Sequence, residues 1–128
     1  MDFSDLMDMK MVFEGAELIS IDKGEAVFTI KVNESDTNPY GFAHGGYLYT
    51  LCDDMAGVIG YSLGSYAVTL QANINYIKSA QVNDVLTVKG KSVHNGNTTI
   101  VTEVEIYDQN NDLLVKSQFT LFAVKSVE

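Results

Sequence analysis

Residues 36–60, DTNPYGFAHGGYLYTLCDDMAGVIG, crowd together most of the side chains able to do chemistry: Asn38, His44, Cys52, Asp53 and Asp54. Gly45 and Gly46 follow the histidine where a helical pattern begins. A helix N-terminus carries unpaired N–H groups and partial positive charge, so it can hold an oxyanion or a polarised carbonyl. Glycine at that point removes the side chain that would block a ligand from the backbone. A carboxylate two turns further along could take a proton from an attacking water. On pattern alone, His-Gly-Gly is more often a loop end and a single aspartate more often a solvated surface acid. Their combination is what points to a site.

At 100° per residue, Leu48, Leu51, Cys52, Met55 and Ile59 fall on one side of a helix spanning 45–62, the stripe expected to bury. Cys52 therefore reads as packing rather than as a nucleophile. Asp53 falls nearly opposite, in the sector of Gly46, Gly57 and Gly60, and Asp54 projects about 100° away from it. The two carboxylates do not face each other and are not expected to share a proton. Each interior glycine costs the helix about 1 kcal/mol relative to alanine. Gly57 and Gly60 thus suggest close approach by a second subunit or a ligand, or else a loosely packed, fraying end. Periodicity does not choose between them.

The elements that must position these residues follow from hydrophobic spacing. Phe3, Leu6, Met7 and Met11 have the spacing of a short amphipathic helix over 3–11. Residues 16–32 read as two strands about a turn at 22–24. Asn38-Pro39-Tyr40-Gly41 has type I turn chemistry. After the helix come alternating segments at 67–79, 84–95, 97–108 and 113–125, the last three separated by "HNGN" and "DQNND". The expected order is a helix, two strands, the central helix, then a meander of four strands. That predicts one α+β domain over 1–128 with an antiparallel sheet packing one face on the helix.

Seventeen acidic residues oppose eight basic ones, all lysines, for a net charge of -9. With no basic cluster, nucleic acid and anionic membrane are poor partners. Without arginine, a phosphate would have to be held by lysine and backbone N–H. No apolar run has membrane-spanning length, the first ten residues are acidic, and one cysteine allows no internal disulfide. A cytoplasmic domain is expected.

The pattern Asn38-x5-His44-Gly45-Gly46 … Asp53 resembles the signature of hotdog-fold acyl-CoA thioesterases of the phenylacetate-degradation type. The likeness continues through VTLQANINYIKSAQVNDVLTVKGKSVHNGNTTIVTEVEIYDQNNDLLVKSQFTLF and covers nearly all of the chain after residue 11. It implies a curved antiparallel sheet around one central helix, two such units forming a dimer with a continuous sheet, often paired again into a tetramer. It also implies that each active site lies at the dimer interface. Asn38, His44 and Gly45 would come from one subunit, Asp53 and Thr69 from the other. Gly45 N–H would bind the thioester carbonyl oxygen, with Gly46 beside it. Asn38 and His44 would position the thioester. Asp53 would be general base or nucleophile, and Thr69 would hold the water. Coenzyme A would enter as part of the substrate, with no metal and no separate cofactor.

Asn83-Asp84 stands where the family usually has Gly-Asp, and Gly96-Asn97 where a Gly-Arg turn is common. The missing arginine and the acidic balance imply weak binding of the nucleotide end of coenzyme A. Lys78, Lys89 and Lys91 are the clustered cations left for it. A non-catalytic acyl-CoA-binding hotdog protein is the alternative, disfavoured by Asp53 beside an oxyanion-type helix start. A hotdog dehydratase would need a His-Pro-rich loop that is missing here. Acyl preference is not legible, although Tyr47, Tyr49, Tyr61 and Tyr66 could line an aromatic pocket or an interface.

Overall fold

A computed structural model describes residues 12–127, so the helix expected at 3–11 lies outside the described residues. Two strands, β1 (Glu17–Asp22) and β2 (Glu25–Lys31), precede a single 3-10 turn at Glu34–Asp36. The helix α1 then spans Gly45–Ser62, and β3 (Ser65–Tyr76), β4 (Val85–Asn95), β5 (Thr99–Tyr107) and β6 (Leu113–Ser126) follow. The helix has the bounds its sequence pattern predicts. The strands differ from expectation by two or three residues at most.

All six strands form one antiparallel sheet in the order β1-β2-β4-β5-β6-β3. The expected four-strand meander is therefore corrected. β4, β5 and β6 do form hairpins, but β3 pairs with β6 at the far edge and not with β4. The helix is the reason: it crosses the sheet between β2 and β3, so β3 starts on the opposite side from β2, and β4 must return to pair with β2.

Alternation sets the inner face. Ala26, Phe28 and Ile30 of β2, Leu86, Val88 and Gly90 of β4, and Ile100, Thr102, Val104 and Ile106 of β5 are buried. From α1, the predicted stripe Leu48, Leu51, Cys52, Met55 and Ile59 is buried against them, joined by Tyr47, Ala56, Val58 and Gly60. Read across the sheet, paired residues Ala26, Gly90, Val104, Ser117 and Ile74 make one row, small at three of its five places. The helix seats there. A Cβ built on Gly90 would stand 2.4 Å from Met55 Cγ and 2.8 Å from its Sδ. Cys52 packs close by, its thiol bonded to Ser117 and pushed up to about 12 chiefly by burial. It is an inert core group. A curved antiparallel sheet around one buried helix is the hotdog fold.

Gly90→Ala is expected to lose about 1–3 kcal/mol of stability through overpacking. Combined with Met55→Ala, which vacates the contact, the two losses should be less than additive. Denaturant melts of the four proteins check this.

Candidate active site

The helix start is built by the loop before it. Asn38 N–H donates to Phe42 O at 2.7 Å, and Gly41 N–H donates back to Asn38 O at 3.0 Å. The Asn38 side-chain oxygen accepts from Tyr40 N–H at 3.0 Å and Phe42 N–H at 3.2 Å. Asparagine suits this because its carbonyl can imitate a backbone turn. Its amide NH2 has no protein partner among the described residues. His44 N–H donates to Asp36 O, and Ala43 N–H to Ala80 O, which ties the loop to the segment after β3.

His44 is the N-cap of α1, exposed, in extended backbone geometry, and makes no capping hydrogen bond with its side chain. The first intrahelical donor of the turn is Leu48 N–H to His44 O, so the amides of Gly45, Gly46 and Tyr47 precede the ladder. Around a Cβ at Gly46 there is open space, and one at Gly45 would first meet Tyr76, its ring at 3.4 Å. The Tyr76 hydroxyl donates to Gly45 O at 2.9 Å. Sequence reasoning passed over Tyr76; its signal was its place at the end of a strand whose inner-facing residues reach the helix. Ala43, Gly45, Leu48, Tyr76 and Lys78 border a shallow depression of about 220 Å³ at this end.

Two turns along, Thr69 Oγ1 donates to Asp53 Oδ1 at 2.6 Å, a short charge-assisted bond. Thr69 faces α1 because it pairs with the buried Leu121 on the inner side of the sheet. A bulge between Thr69 and Gln71 then shifts the strand's phase, so that Ala72 faces inward too. Alternation along β3 does not reveal that bulge. Asp53, Asp54, Gly57, Ala67, Thr69 and Leu121 border an open depression of about 320 Å³.

Asp54, expected to point elsewhere, also borders this depression. Burial, and next the nearby Asp53, push its carboxyl up to about 7, although Phe13 N–H bonds to it and works the other way. The glycines also divide differently from expectation. Gly46 is open and Gly57 lines the depression, whereas Gly60 is buried, its would-be Cβ 3.3 Å from Ala67 Cβ. The approach at Gly60 is made by the chain's own β3, not by an outside surface.

Among the candidates, Asn38, His44, Gly45 and Gly46 lie together at the helix start, and Asp53 with Thr69 lies mid-helix. Lys78 is near the former group, its ammonium 2.6 Å from Asp112 and 3.3 Å from the buried Asp108. Lys89 and Lys91 project from the sheet face away from α1. There Lys89 lies 4.8 Å over the Tyr107 ring, and Lys91 is 3.8 Å from Glu103. The tyrosines do not share one pocket: Tyr47 packs on Phe13, Tyr49 on Phe119, and Tyr61 on Tyr66.

The six-stranded antiparallel sheet wrapped around one central helix is the architecture of the hotdog class. The chain belongs to the thioesterase superfamily, whose sequence profile matches residues 40–115. It is 32% identical over 114 residues to the 1,4-dihydroxy-2-naphthoyl-CoA hydrolase of Listeria monocytogenes, covering 87% of this chain and 91% of that one. With the acyl-coenzyme A thioesterase PaaI of Escherichia coli it shares 33% identity, over 74% of this chain and 68% of the relative. A hypothetical thioesterase protein of Streptococcus pneumoniae, solved with coenzyme A, superposes with a TM-score of 0.92 at 43% identity, covering 99% of this chain and 100% of that one. Two further structures of that protein carry alanine in place of an aspartate and of a threonine 16 positions later, the spacing of Asp53 and Thr69 here.

Asp54 is ionised less readily in the folded chain than in the unfolded one, so it opposes folding as pH rises from about 4 through about 7. Below that window both states hold the proton and the penalty vanishes. Asp54→Asn should therefore raise stability at pH 8, by about 1–2 kcal/mol after allowance for water screening. The gain should shrink toward pH 4, as read from melting temperatures of both proteins across that range.

Proposed function

We propose that the chain is a cytoplasmic acyl-CoA thioesterase whose active sites are each shared between two copies. The observation that carries the shared site is a length. Gly45 and Asp53 are eight helical residues apart, about 12 Å along one axis. One thioester carbonyl cannot touch both within a single chain. A second copy can supply the other half if two chains join along β3. That strand is the sheet's edge, twelve residues long, and it leaves Val68 and Leu70 more than half exposed. Pairing of two such dimers into a tetramer belongs to the same reading.

In this reading the thioester carbonyl oxygen lies on Gly45 N–H, with Gly46 leaving room beside it. The amide NH2 of Asn38 and the exposed His44 ring hold the thioester from the same subunit. Asp53 of the other subunit takes a proton from water, and the water oxygen attacks the carbonyl carbon. Thr69 occupies Asp53 Oδ1 and so leaves Oδ2 for that water. The negative charge that forms on the carbonyl oxygen is met by the amide, a contact worth about 3 kcal/mol of barrier. Collapse breaks the C–S bond, releasing the free acid and the coenzyme A thiolate, which takes up the proton. Direct attack by Asp53, with water opening the resulting anhydride, uses the same geometry. Of the three candidate lysines, Lys78 borders the same depression as Gly45, while Lys89 and Lys91 could meet phosphates only from the outer face. The coenzyme A bound by the pneumococcal relative and the names of the other two support this substrate class.

Asp53→Asn should lower kcat on acyl-CoA by about 10²–10⁴-fold with little change in KM. Co-expressing Asp53→Asn with His44→Ala chains should restore about a quarter of wild-type activity, because half of randomly paired dimers have one intact site of two. Turnover that survives Asp53→Asn would remove the assigned base. Absence of rescue in the mixture, or a monomer by light scattering, would remove the shared site.

A further inference from the structure

The depression beside Asp53 lies in a wedge. Only Leu63 and Gly64 separate the end of α1 from the start of β3, with Gly64 at a φ of +93° that suits glycine. Helix and strand therefore diverge from one point. Asp53, Gly57 and Tyr61 descend one flank of the helix at four-residue steps. Thr69, Ala67 and Tyr66 descend the facing strand. At the open end the two walls are bridged by the Thr69–Asp53 hydrogen bond. In the middle, Gly57 and Ala67 supply almost no side chain, and Leu121 forms an apolar floor. Toward the apex the tyrosines meet edge to face, ring centroids 5.7 Å apart and planes at 61°. Lys125 Nζ sits 5.6 Å from the centre of the Tyr66 ring and adds a cation–π contact.

We propose that Tyr61 and Tyr66 form a stop that limits the acyl group to a compact one, an inference that rests on the thioesterase reading above. The reacting carbonyl must lie at Asp53. Beyond the carboxylates the depression is walled by Gly57, Ala67 and Leu121, a surface that suits an acyl group and not the charged nucleotide of coenzyme A. The next positions toward the apex on the two walls are Tyr61 and Tyr66. The whole open depression, the part beside the two carboxylates included, measures about 320 Å³. That is about twice the size of an engineered cavity that takes benzene, enough for a short chain or a single ring. A long chain following the wedge runs into Tyr61 and Tyr66. Each ring is braced by the other, and Tyr66 also by Lys125.

The test compares kcat/KM on butyryl-, phenylacetyl-, decanoyl- and lauroyl-CoA. Wild type should prefer the first two. Tyr61→Ala and Tyr66→Ala should each raise the decanoyl-to-butyryl ratio by tenfold or more, the scale on which pocket length discriminates. Tyr66→Phe, which keeps the ring, should leave that ratio as in wild type. Gly57→Val, which fills the wedge from the helix side, should lower the phenylacetyl-to-butyryl ratio. If either alanine variant fails to fold, the leucine variants at the same positions carry the same expectation with a smaller shift. An unchanged ratio in folded variants, or a wild type that already favours lauroyl-CoA, overturns the stop while leaving the thioesterase reading in place. A wild type that hydrolyses no acyl-CoA overturns both.

Discussion

The close seating of α1 on the sheet is the constraint from which the rest follows. A helix with side chains ordinarily stands well off its neighbours, but here Gly90 lets Met55 rest on the β4 backbone, and Ser117 receives Cys52. The row of Ala26, Gly90, Val104, Ser117 and Ile74 is in effect a shallow trough across strands β2, β4, β5, β6 and β3. Interiors pack to crystal-like density, so a trough of this depth fixes the height of the helix closely. Height in turn sets reach. Asp53 comes within hydrogen-bond distance of Thr69, and Gly45 comes against the ring of Tyr76.

Several features near the helix run against stability. The N-terminus has no side-chain cap, and two glycines occupy its first positions. Asp54 is a half-buried carboxyl beside another carboxylate. The Tyr47 hydroxyl is buried without a partner among the described residues, and burial together with Asp36 makes it harder to ionise. A satisfied core avoids such groups. Their clustering along one helix, while Leu48, Leu51, Met55 and Ile59 of the stripe are buried, is the local inconsistency expected where a fold gives up stability for function.

Much of the fold was legible because its signals are local. The bounds of α1 followed from its apolar period and from turn chemistry on either side. The core stripe followed from angle alone, and the hairpin turns of β4, β5 and β6 from their Asn, Asp and Gly. The partner of β3 was not legible. Its alternation is compatible with pairing to β4 or to β6, and only the passage of the helix across the sheet selects β6. The bulge beside Thr69 was hidden for a related reason: an extra residue is defined by the opposing strand, which the sequence of β3 does not contain.

The site divides along the same line. Sequence by itself determined that a glycine helix start and an aspartate two turns on would share one helix, and that Cys52 would pack rather than react. Spacing along one element is a covalent property, so it can be read without the fold. Tertiary structure alone decided that Thr69 holds Asp53, that Asp54 borders the same depression, that Gly60 faces β3, and that the four tyrosines of the helix region separate into three contacts. Each of those depends on which element lies opposite. That is settled by burial and packing among residues far apart in the chain.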